Sequence, residues 1–126
     1  QVLRDYLGRS YIGLHAMEDE HFGICVVEYQ AAGLIVLANN SAGPKMDIVT
    51  EYNGQPTGFL ASTEDEYVEK MGEIAILRGT KRAKILQENA RISTQRFSAS
   101  SFAHSLSDYL KTLDLKLRKK SHSKSE

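Results

Sequence analysis

The sequence predicts an α/β domain with a parallel sheet, followed by C-terminal helices. Three short apolar segments, at residues 11–17, 34–40 and 58–61, have the composition of strands, and helical patterns lie between them. Strands that alternate with helices are joined by crossover connections, and such connections place the strands parallel in one sheet.

The first two predicted strands are apolar at most positions rather than at every second one. "YIGLHAM" covers residues 11–17, and "LIVLANN" covers residues 34–40. Continuous apolar character is typical of strands that are buried on both faces of a parallel sheet. A short helix, "VLRDYLG", is predicted before the first strand, with Gly8 closing it.

A helix is predicted from Phe22 to Ala32, between these two strands. Its apolar residues Ile24, Val27 and Ala31 would share one face at the helical period. Gly33 follows where a glycine commonly closes a helix. This helix would be the crossover from the first strand to the second.

Two further helices flank the third strand. Pro44 suits the first turn of a short helix, "PKMDIVTEY". After the strand at 58–61, Thr63 and Glu66 form a capping-box pattern, which predicts a helix that runs to about Arg78. The residues of this helix expected to face inward are Tyr67, Val68, Met71, Ile74 and Ala75.

The C-terminal part is predicted to be helical. Thr80 is a plausible N-cap for the helix "TKRAKILQENARISTQRF". Residues 101–117 form the last predicted helix, and residues 118–126 a basic, flexible tail. The apolar residues in register on the last helix are Phe102, Leu106, Tyr109, Leu113 and Leu117.

Composition excludes some functions. Sixteen Lys and Arg balance 16 Asp and Glu, so no overall charge recruits nucleic acid. The basic end "KTLDLKLRKKSHSKSE" is either a solvated, frayed terminus or a weak contact for anionic lipid headgroups. The longest apolar runs, "ICVV" and "LIVLA", are far shorter than the roughly 20 residues of a membrane helix. Cys25 is the single cysteine, which excludes an intrachain disulfide and fits a reducing compartment.

Two polar loops mark the expected site. "EDEHFG" follows the first strand and "NNSAGPK" follows the second, and each leads into a helix. Ligands of open parallel sheets bind beyond the carboxyl ends of the strands, and helix N-termini favour phosphate. A nucleotide diphosphate therefore fits, although such a site would accept other anions. The sequence has neither the glycine-rich dinucleotide fingerprint nor a Walker motif.

Glu20 and Glu28 are the candidate acids of this site. Glu20 lies in the first of these loops, and Glu28 lies five residues past Gly23, roughly 7.5 Å along the helix. Carboxylates accept hydrogen bonds from sugar hydroxyls, so the pair could address two parts of one ligand. The alternative is that both are solvated and without function. His15, at the end of the first strand, either faces the cleft or is merely hydrogen-bonded.

These residues carry a resemblance to a known family. "E-H-F-G-I-C-V-V-E" resembles the E-x7-E motif of retaining glycosyltransferases with the two-Rossmann GT-B fold, specifically glycosyltransferase family 4. "GLHAMEDEHFGICVVEYQAAG", "ANNSAGPKMDIV" and "TGFLAST" are similar to the α-1,2-mannosyltransferases of that family, which act in asparagine-linked glycosylation. The resemblance runs from about Ser10 to Phe102.

The resemblance implies where this chain lies in a larger enzyme. Residues 1–100 would be the latter part of a Rossmann-like, C-terminal donor-binding domain. An N-terminal acceptor domain, and strands that bind the diphosphate, would be missing from this chain, which alone would not transfer sugar. The first predicted strand would then have an unpaired edge.

The resemblance also implies roles for individual residues. Glu20 is expected at the donor sugar, near the developing oxocarbenium charge, and Glu28 at the ribose hydroxyls. The family usually has a second glycine where Ala42 stands, and alanine would cost little there if its φ is negative. The donor-binding residues that the resemblance implies are Phe22, Gly23, Ile24, Ser41, Ala42, Gly43 and His15.

The implied activity is the transfer of mannose from GDP-mannose, with retention of configuration, to a dolichol-linked oligosaccharide. The leaving diphosphate would assist the incoming hydroxyl, so no metal and no cofactor are expected. The acceptor and the membrane would be bound by segments outside this chain, at the cytosolic face of the endoplasmic reticulum. The alternatives are another family 4 nucleotide-sugar transferase and a non-catalytic binding module.

Overall fold

The structure, a computed structural model, describes residues 1–122. The chain divides into two units, of which the first is Gln1–Thr94 and the second begins at Gln95. The helices and strands of the first unit are α1 (Val2–Arg9), β1 (Ile12–His15), α2 (Ile24–Ala31), β2 (Ile35–Asn39), β3 (Phe59–Ala61), α3 (Glu64–Leu77) and α4 (Lys81–Ser93).

The three strands form one parallel sheet in the order β1-β2-β3. Ile12 pairs with Ile35, and Leu37 pairs with Phe59. The predicted α/β class with a parallel sheet is confirmed. Because all three strands are parallel, the carboxyl ends of β1 and β2 lie at the same end of the sheet. Within the described residues β1 has β2 as its single neighbour, as expected for an edge strand.

The prediction of a strand buried on both faces is right for β2 and wrong for β1. Every residue of β2 is buried, whereas Leu14 in β1 is 48% exposed. The reason is position, since β2 lies between two strands and β1 lies at the edge. β1 is also shorter than the predicted 11–17, and α1 continues one residue past Gly8.

The buried face of α2 differs from the predicted one. Val26, Val27 and Gln30 are the buried residues, while Ile24 and Ala31 are exposed. The side chain of Gln30 donates to the carbonyl of Thr57 at 3.1 Å, a distant partner that no local pattern indicates. A polar residue can therefore lie at the centre of the buried face.

The C-terminus of α2 is closed as predicted. Gly33 has φ +87 and donates to the carbonyl of Gln30 at 3.0 Å. The amide of Leu34 donates to the carbonyl of Tyr29 at 3.0 Å, which completes a Schellman motif. This closure turns the chain directly into β2.

The core lies between β2, β3 and the helices α3 and α4. Its buried residues are Ile35, Leu37, Ala61, Ile74, Ala83 and Leu86. Tyr67 and Leu77 pack against this cluster while partly exposed.

The prediction that Val68, Met71 and Ala75 face inward is wrong. All three are exposed, and Val68 is 73% exposed. The three short strands cover a narrow strip of α3, so the apolar stripe of the helix is wider than the surface that buries it.

Capping signals are confirmed at both following helices. The Thr63 hydroxyl accepts from the Glu66 amide, and the Thr80 hydroxyl accepts from the Ala83 amide, each at 3.2 Å. Pro44 begins a helix as predicted, but this is a single π-type turn over Pro44–Ile48 rather than a helix to residue 52.

The second unit begins within what the sequence predicts as one helix. A 3-10 turn, Thr94–Phe97, follows α4, and α5 spans Ala99–His122. The helix therefore continues five residues past the predicted end at 117, into the predicted tail. Residues 123–126 of that tail, and the side chain of Leu117, lie outside the described residues. The other predicted apolar residues of α5 are exposed: Phe102, Leu106, Tyr109 and Leu113.

No helix within residues 1–122 combines the length and the apolar composition that crossing a membrane requires.

Replacing Gly13 with alanine is expected to destabilise the protein by about 1–3 kcal/mol, because the added methyl overpacks the β1–α2 contact. A Cβ at Gly13 would lie 2.5 Å from Cδ2 and 2.8 Å from Cβ of Tyr29. Gly72, inside α3, has no neighbour within 4 Å of such a Cβ. Gly72→Ala should therefore stabilise the protein by about 0.5–1 kcal/mol. Urea denaturation measures both, and a shift of the same sign in the two variants would contradict the packing described.

Candidate functional site at the carboxyl end of the sheet

Two loops meet where β1 and β2 end. The first loop comprises residues 16–23, between β1 and α2, and the second loop comprises residues 40–43, between β2 and Pro44. The Gly43 amide donates to the carbonyl of Glu20 at 2.8 Å, and the Asp19 amide donates to the Ser41 hydroxyl at 3.0 Å. The two loops that the sequence places at this edge are therefore directly bonded to each other.

Gly43 is the point of closest approach between these loops. A Cβ at this residue would lie 2.5 Å from the carbonyl oxygens of His21 and Phe22. Any larger residue would push the first loop away. The requirement for glycine is thus explained by the contact between the loops.

The N-terminus of α2 opens into this region. Its N-cap is Gly23, at φ +95, which supplies no side-chain cap. The amides of Ile24 and Cys25, at the first two helical positions, have no intrahelical acceptor. Together with the helix dipole, they can bind an anionic group such as a phosphate.

Glu20 is held beside His15. The Glu20 Oε2 atom lies 3.9 Å from Nε2 of His15, and their side chains are 29% and 13% exposed. The Nδ1 atom of His15 is buried and has no hydrogen-bond partner in the described part of the chain. The structure therefore brings these two predicted site residues together.

Glu28 lies apart from this pair, on the second turn of α2, and is exposed. Its carboxylate makes no hydrogen bond or ion pair with any residue from 1 to 122. It is free to accept hydrogen bonds from a ligand that extends along α2.

The second loop differs in one respect from the sequence-based expectation. Ala42 has φ +40, so the condition under which alanine would cost little at this position is not met. This is the left-handed region, where a side chain costs about 1–2 kcal/mol relative to glycine. The backbone at Ala42 therefore has the left-handed conformation that glycine favours, and the alanine is strained.

Two residues that sequence reasoning did not select complete the site. The Tyr67 hydroxyl, on α3, donates to the carbonyl of His15 at 3.3 Å, and the side chain of Asn39 lies beside that hydroxyl. Burial raises the pKa of the Tyr67 phenol, the Asn39 side chain lowers it, and the charge of Glu18 raises it further. Asn39 could have been selected as the polar end of a buried strand. Tyr67 gave no signal beyond its place on an apolar face.

Within residues 1–122, His, Cys, Asp and Glu form no group of three or more that could hold a metal ion. The expectation that the reaction needs no metal is not tested by this observation and stays a prediction. Cys25 is exposed and unpaired.

The sequence is similar to those of known glycosyltransferases. The sequence matches the family described as "Glycosyl transferases group 1" over residues 2–93. Curated relatives from Mus musculus and Homo sapiens are 51% and 50% identical over 100 residues, which is 79% of this chain and 20% of each relative. A relative from Dictyostelium discoideum is 49% identical over 111 residues, 88% of this chain and 21% of the relative. All three are named "GDP-Man:Man(3)GlcNAc(2)-PP-Dol alpha-1,2-mannosyltransferase".

A solved structure supports the same grouping. A glycosyltransferase from Rickettsia africae superposes with a TM-score of 0.68 and 27% identity, covering 86% of this chain and 29% of the other. The chain belongs to the glycosyl transferases group 1 family, which confirms the resemblance seen in the sequence. It spans about a fifth of the length of the curated relatives it matches.

Replacing Ala42 with glycine is expected to stabilise the protein by about 0.5–1 kcal/mol, because the relief of left-handed strain exceeds the extra conformational entropy that glycine loses on folding. Ala75→Gly is the matched control, since Ala75 is exposed on α3 and glycine there should cost about 1 kcal/mol. Thermal unfolding of both variants measures the two changes. Destabilisation by Ala42→Gly as large as that of the control would contradict the φ of +40.

Proposed function

We propose that this protein is part of, or is, a retaining α-1,2-mannosyltransferase that transfers mannose from GDP-mannose to a dolichol-linked oligosaccharide in protein N-glycosylation. The observation that carries the proposal is about 50% identity, over four fifths of the chain, to relatives whose names give an α-1,2-mannosyltransferase with GDP-Man and a PP-Dol oligosaccharide. The geometry of the E-x7-E segment supports it, since one acid lies at the loop contact and the other on the adjoining helix.

The donor would lie across the N-terminus of α2. The diphosphate is placed at the amides of Ile24 and Cys25, where the helix dipole favours negative charge. Gly23 adopts φ +95, which glycine allows without strain, directly before these two amides. The backbone of Phe22, Gly23 and Ile24 would contribute to both the sugar and the phosphate.

Glu20 would act at the mannose. Its carboxylate, fixed beside His15, would lie where positive charge develops on the sugar as the glycosidic bond breaks. A preorganised negative charge stabilises such a transition state without reorganisation of solvent. The protein thus supplies positioning and electrostatic stabilisation, and the leaving diphosphate accepts the proton of the incoming hydroxyl. No covalent nucleophile and no metal take part in this proposal.

Glu28 would bind the ribose. It is exposed on the second turn of α2, without an internal partner, and so can accept hydrogen bonds from both ribose hydroxyls. Ser41, Ala42 and Gly43 would line the opposite side of the cleft.

The acceptor in this proposal is a dolichol-linked oligosaccharide, as in the names of the relatives. Such an acceptor is anchored in a bilayer, so the enzyme would work at a membrane surface. The cytosolic face of the endoplasmic reticulum is the proposed location.

The full-length protein is expected to transfer mannose from GDP-mannose to a lipid-linked acceptor that carries the Man(3)GlcNAc(2) core. UDP-glucose, supplied at the same concentration, should give no product. Mass spectrometry of the released glycan measures transfer. Transfer from UDP-glucose alone would replace this proposal with another nucleotide-sugar transferase of the family, and binding of either donor without transfer to any acceptor would indicate a binding module.

Glu28→Gln is expected to weaken the binding of GDP to the full-length protein, because the charge-assisted hydrogen bonds to the ribose are lost. Such bonds are worth about 1.5–3 kcal/mol, or roughly 10- to 150-fold in Kd. Glu69→Gln, which removes an exposed carboxylate from α3, is the control and should leave the Kd unchanged. Calorimetric titration measures both, and equal affinities in the two variants would remove the ribose assignment.

A further inference from the structure

We propose that Tyr67, Asn39 and Ser41 are positioning residues that hold Glu20 in place through a relay of hydrogen bonds and side-chain contacts. The relay connects the end of β1, the end of β2 and α3 with the two loops of the site. Its catalytic consequence rests on the proposed function, whereas its structural consequence does not.

The relay runs from the carbonyl of His15 to the amide of Asp19. Tyr67 Oη donates to the His15 carbonyl at 3.3 Å, and the side chain of Asn39 lies beside the Tyr67 hydroxyl. Ser41 Oγ donates to Asn39 Oδ1 at 2.6 Å and accepts from the Asp19 amide at 3.0 Å.

A donor and an acceptor can be assigned to each group of the relay. Oδ1 of Asn39 accepts from Ser41, so the Nδ2 group is the part of the amide left to face Tyr67, whose own proton goes to the His15 carbonyl. The Asn39 side chain lowers the pKa of Tyr67, as a donor group beside the phenol oxygen does. Asn39 is 5% exposed, so both ends of its amide need partners, and the relay supplies them.

The relay bridges the two ends of a short exposed segment. His15 ends β1, Asp19 begins the approach to Glu20, and residues 16–18 between them are exposed. Asp19 has φ +51, a conformation that costs free energy in any residue with a side chain and persists only where neighbours hold it. The hydrogen bond from the Asp19 amide to Ser41 stabilises this conformation. Without the relay, the segment has little to fix its course.

Both ends of the relay act on Glu20. The His15 imidazole is the side chain beside the Glu20 carboxylate, and Asp19 is its neighbour in the chain. The Gly43 amide fixes the carbonyl of Glu20 itself. Tyr67 thus acts on Glu20 indirectly, through His15 and through Asp19.

Tyr11 provides a matched control. Its hydroxyl donates to the carbonyl of Ile74 at 3.2 Å, and burial raises the pKa of its phenol as it does for Tyr67. Tyr11 precedes β1, at the end of the strand away from the loops. Tyr11→Phe and Tyr67→Phe therefore each remove one partly buried hydroxyl bonded to a backbone carbonyl, at opposite ends of the sheet.

The structural test is amide hydrogen exchange in the full-length protein. Tyr67→Phe should raise the exchange rates in residues 16–22 by about tenfold, as expected for the loss of one to two hydrogen bonds. Tyr11→Phe should leave these rates unchanged. Ser41→Ala, which breaks the relay at its other end, should reproduce the effect and serves if Tyr67→Phe does not fold. Unchanged exchange in residues 16–22 in the folded variants would overturn the relay.

The catalytic test is a double-mutant cycle with Glu20→Gln. In mannose transfer, Tyr67→Phe should lower kcat about tenfold with less than a twofold change in KM for the donor, while Tyr11→Phe keeps both values. In the Glu20→Gln background, Tyr67→Phe should have no further effect, because residues that act through each other are not additive. Equal effects of Tyr67→Phe in both backgrounds would overturn the positioning role.

The two tests separate this proposal from the proposed function. If the unmodified protein transfers no mannose, the proposed function fails, and hydrogen exchange still decides whether the relay holds the first loop. If transfer occurs and exchange does not respond to Tyr67→Phe, the relay fails and the proposed function stands.

Discussion

The close contact between the first and second loops is the constraint on which the site depends. The Gly43 amide reaches the carbonyl of Glu20 because no side chain keeps the two backbones apart. That approach is possible because β1 and β2 are parallel and end at the same edge of the sheet. The central strand, β2, is buried throughout and fixes this end of the sheet. The position of Glu20 therefore depends on the strand register, and the register depends on the packing of the core.

Sequence reasoning succeeded where the cause of a feature is local. Thr63 and Thr80 cap their helices, Pro44 begins a turn of helix, and Gly33 closes α2, each through contacts within a few residues. The parallel sheet was equally accessible, because it follows from the alternation of strands and helices. The two loops and the acid that one of them carries follow from that topology, and the structure brings them together.

Several features that sequence reasoning missed depend on how the elements are assembled. The buried face of α2 includes Gln30, whose amide needs the carbonyl of Thr57. Leu14 is exposed because of its place at the edge, which composition does not encode. Tyr67 is 52 residues from His15 in the chain, and an apolar helical pattern gives no indication that its hydroxyl reaches a strand end. Such contacts become visible once the elements have been assembled.

The two acids of the E-x7-E segment differ in how firmly they are held, and charge explains why that difference suits the proposed reaction. Glu20 lies at the start of α2, with its Cγ 3.5 Å from where a Cβ of Gly23 would be. A helix N-terminus favours a carboxylate by about 0.3–1 kcal/mol, but a bound diphosphate would compete for the same end and repel it.

A carboxylate left free there would turn away from the diphosphate and leave the sugar. The bond from Gly43 fixes the Glu20 backbone, and His15 lies 3.9 Å from the Glu20 carboxylate, where it favours the observed position. Glu28 lies farther along the helix and has no such competitor, so it needs no restraint and has none within the described residues. An acid that stabilises a developing charge has to be fixed before the reaction begins, whereas one that binds hydroxyls can adjust to its ligand.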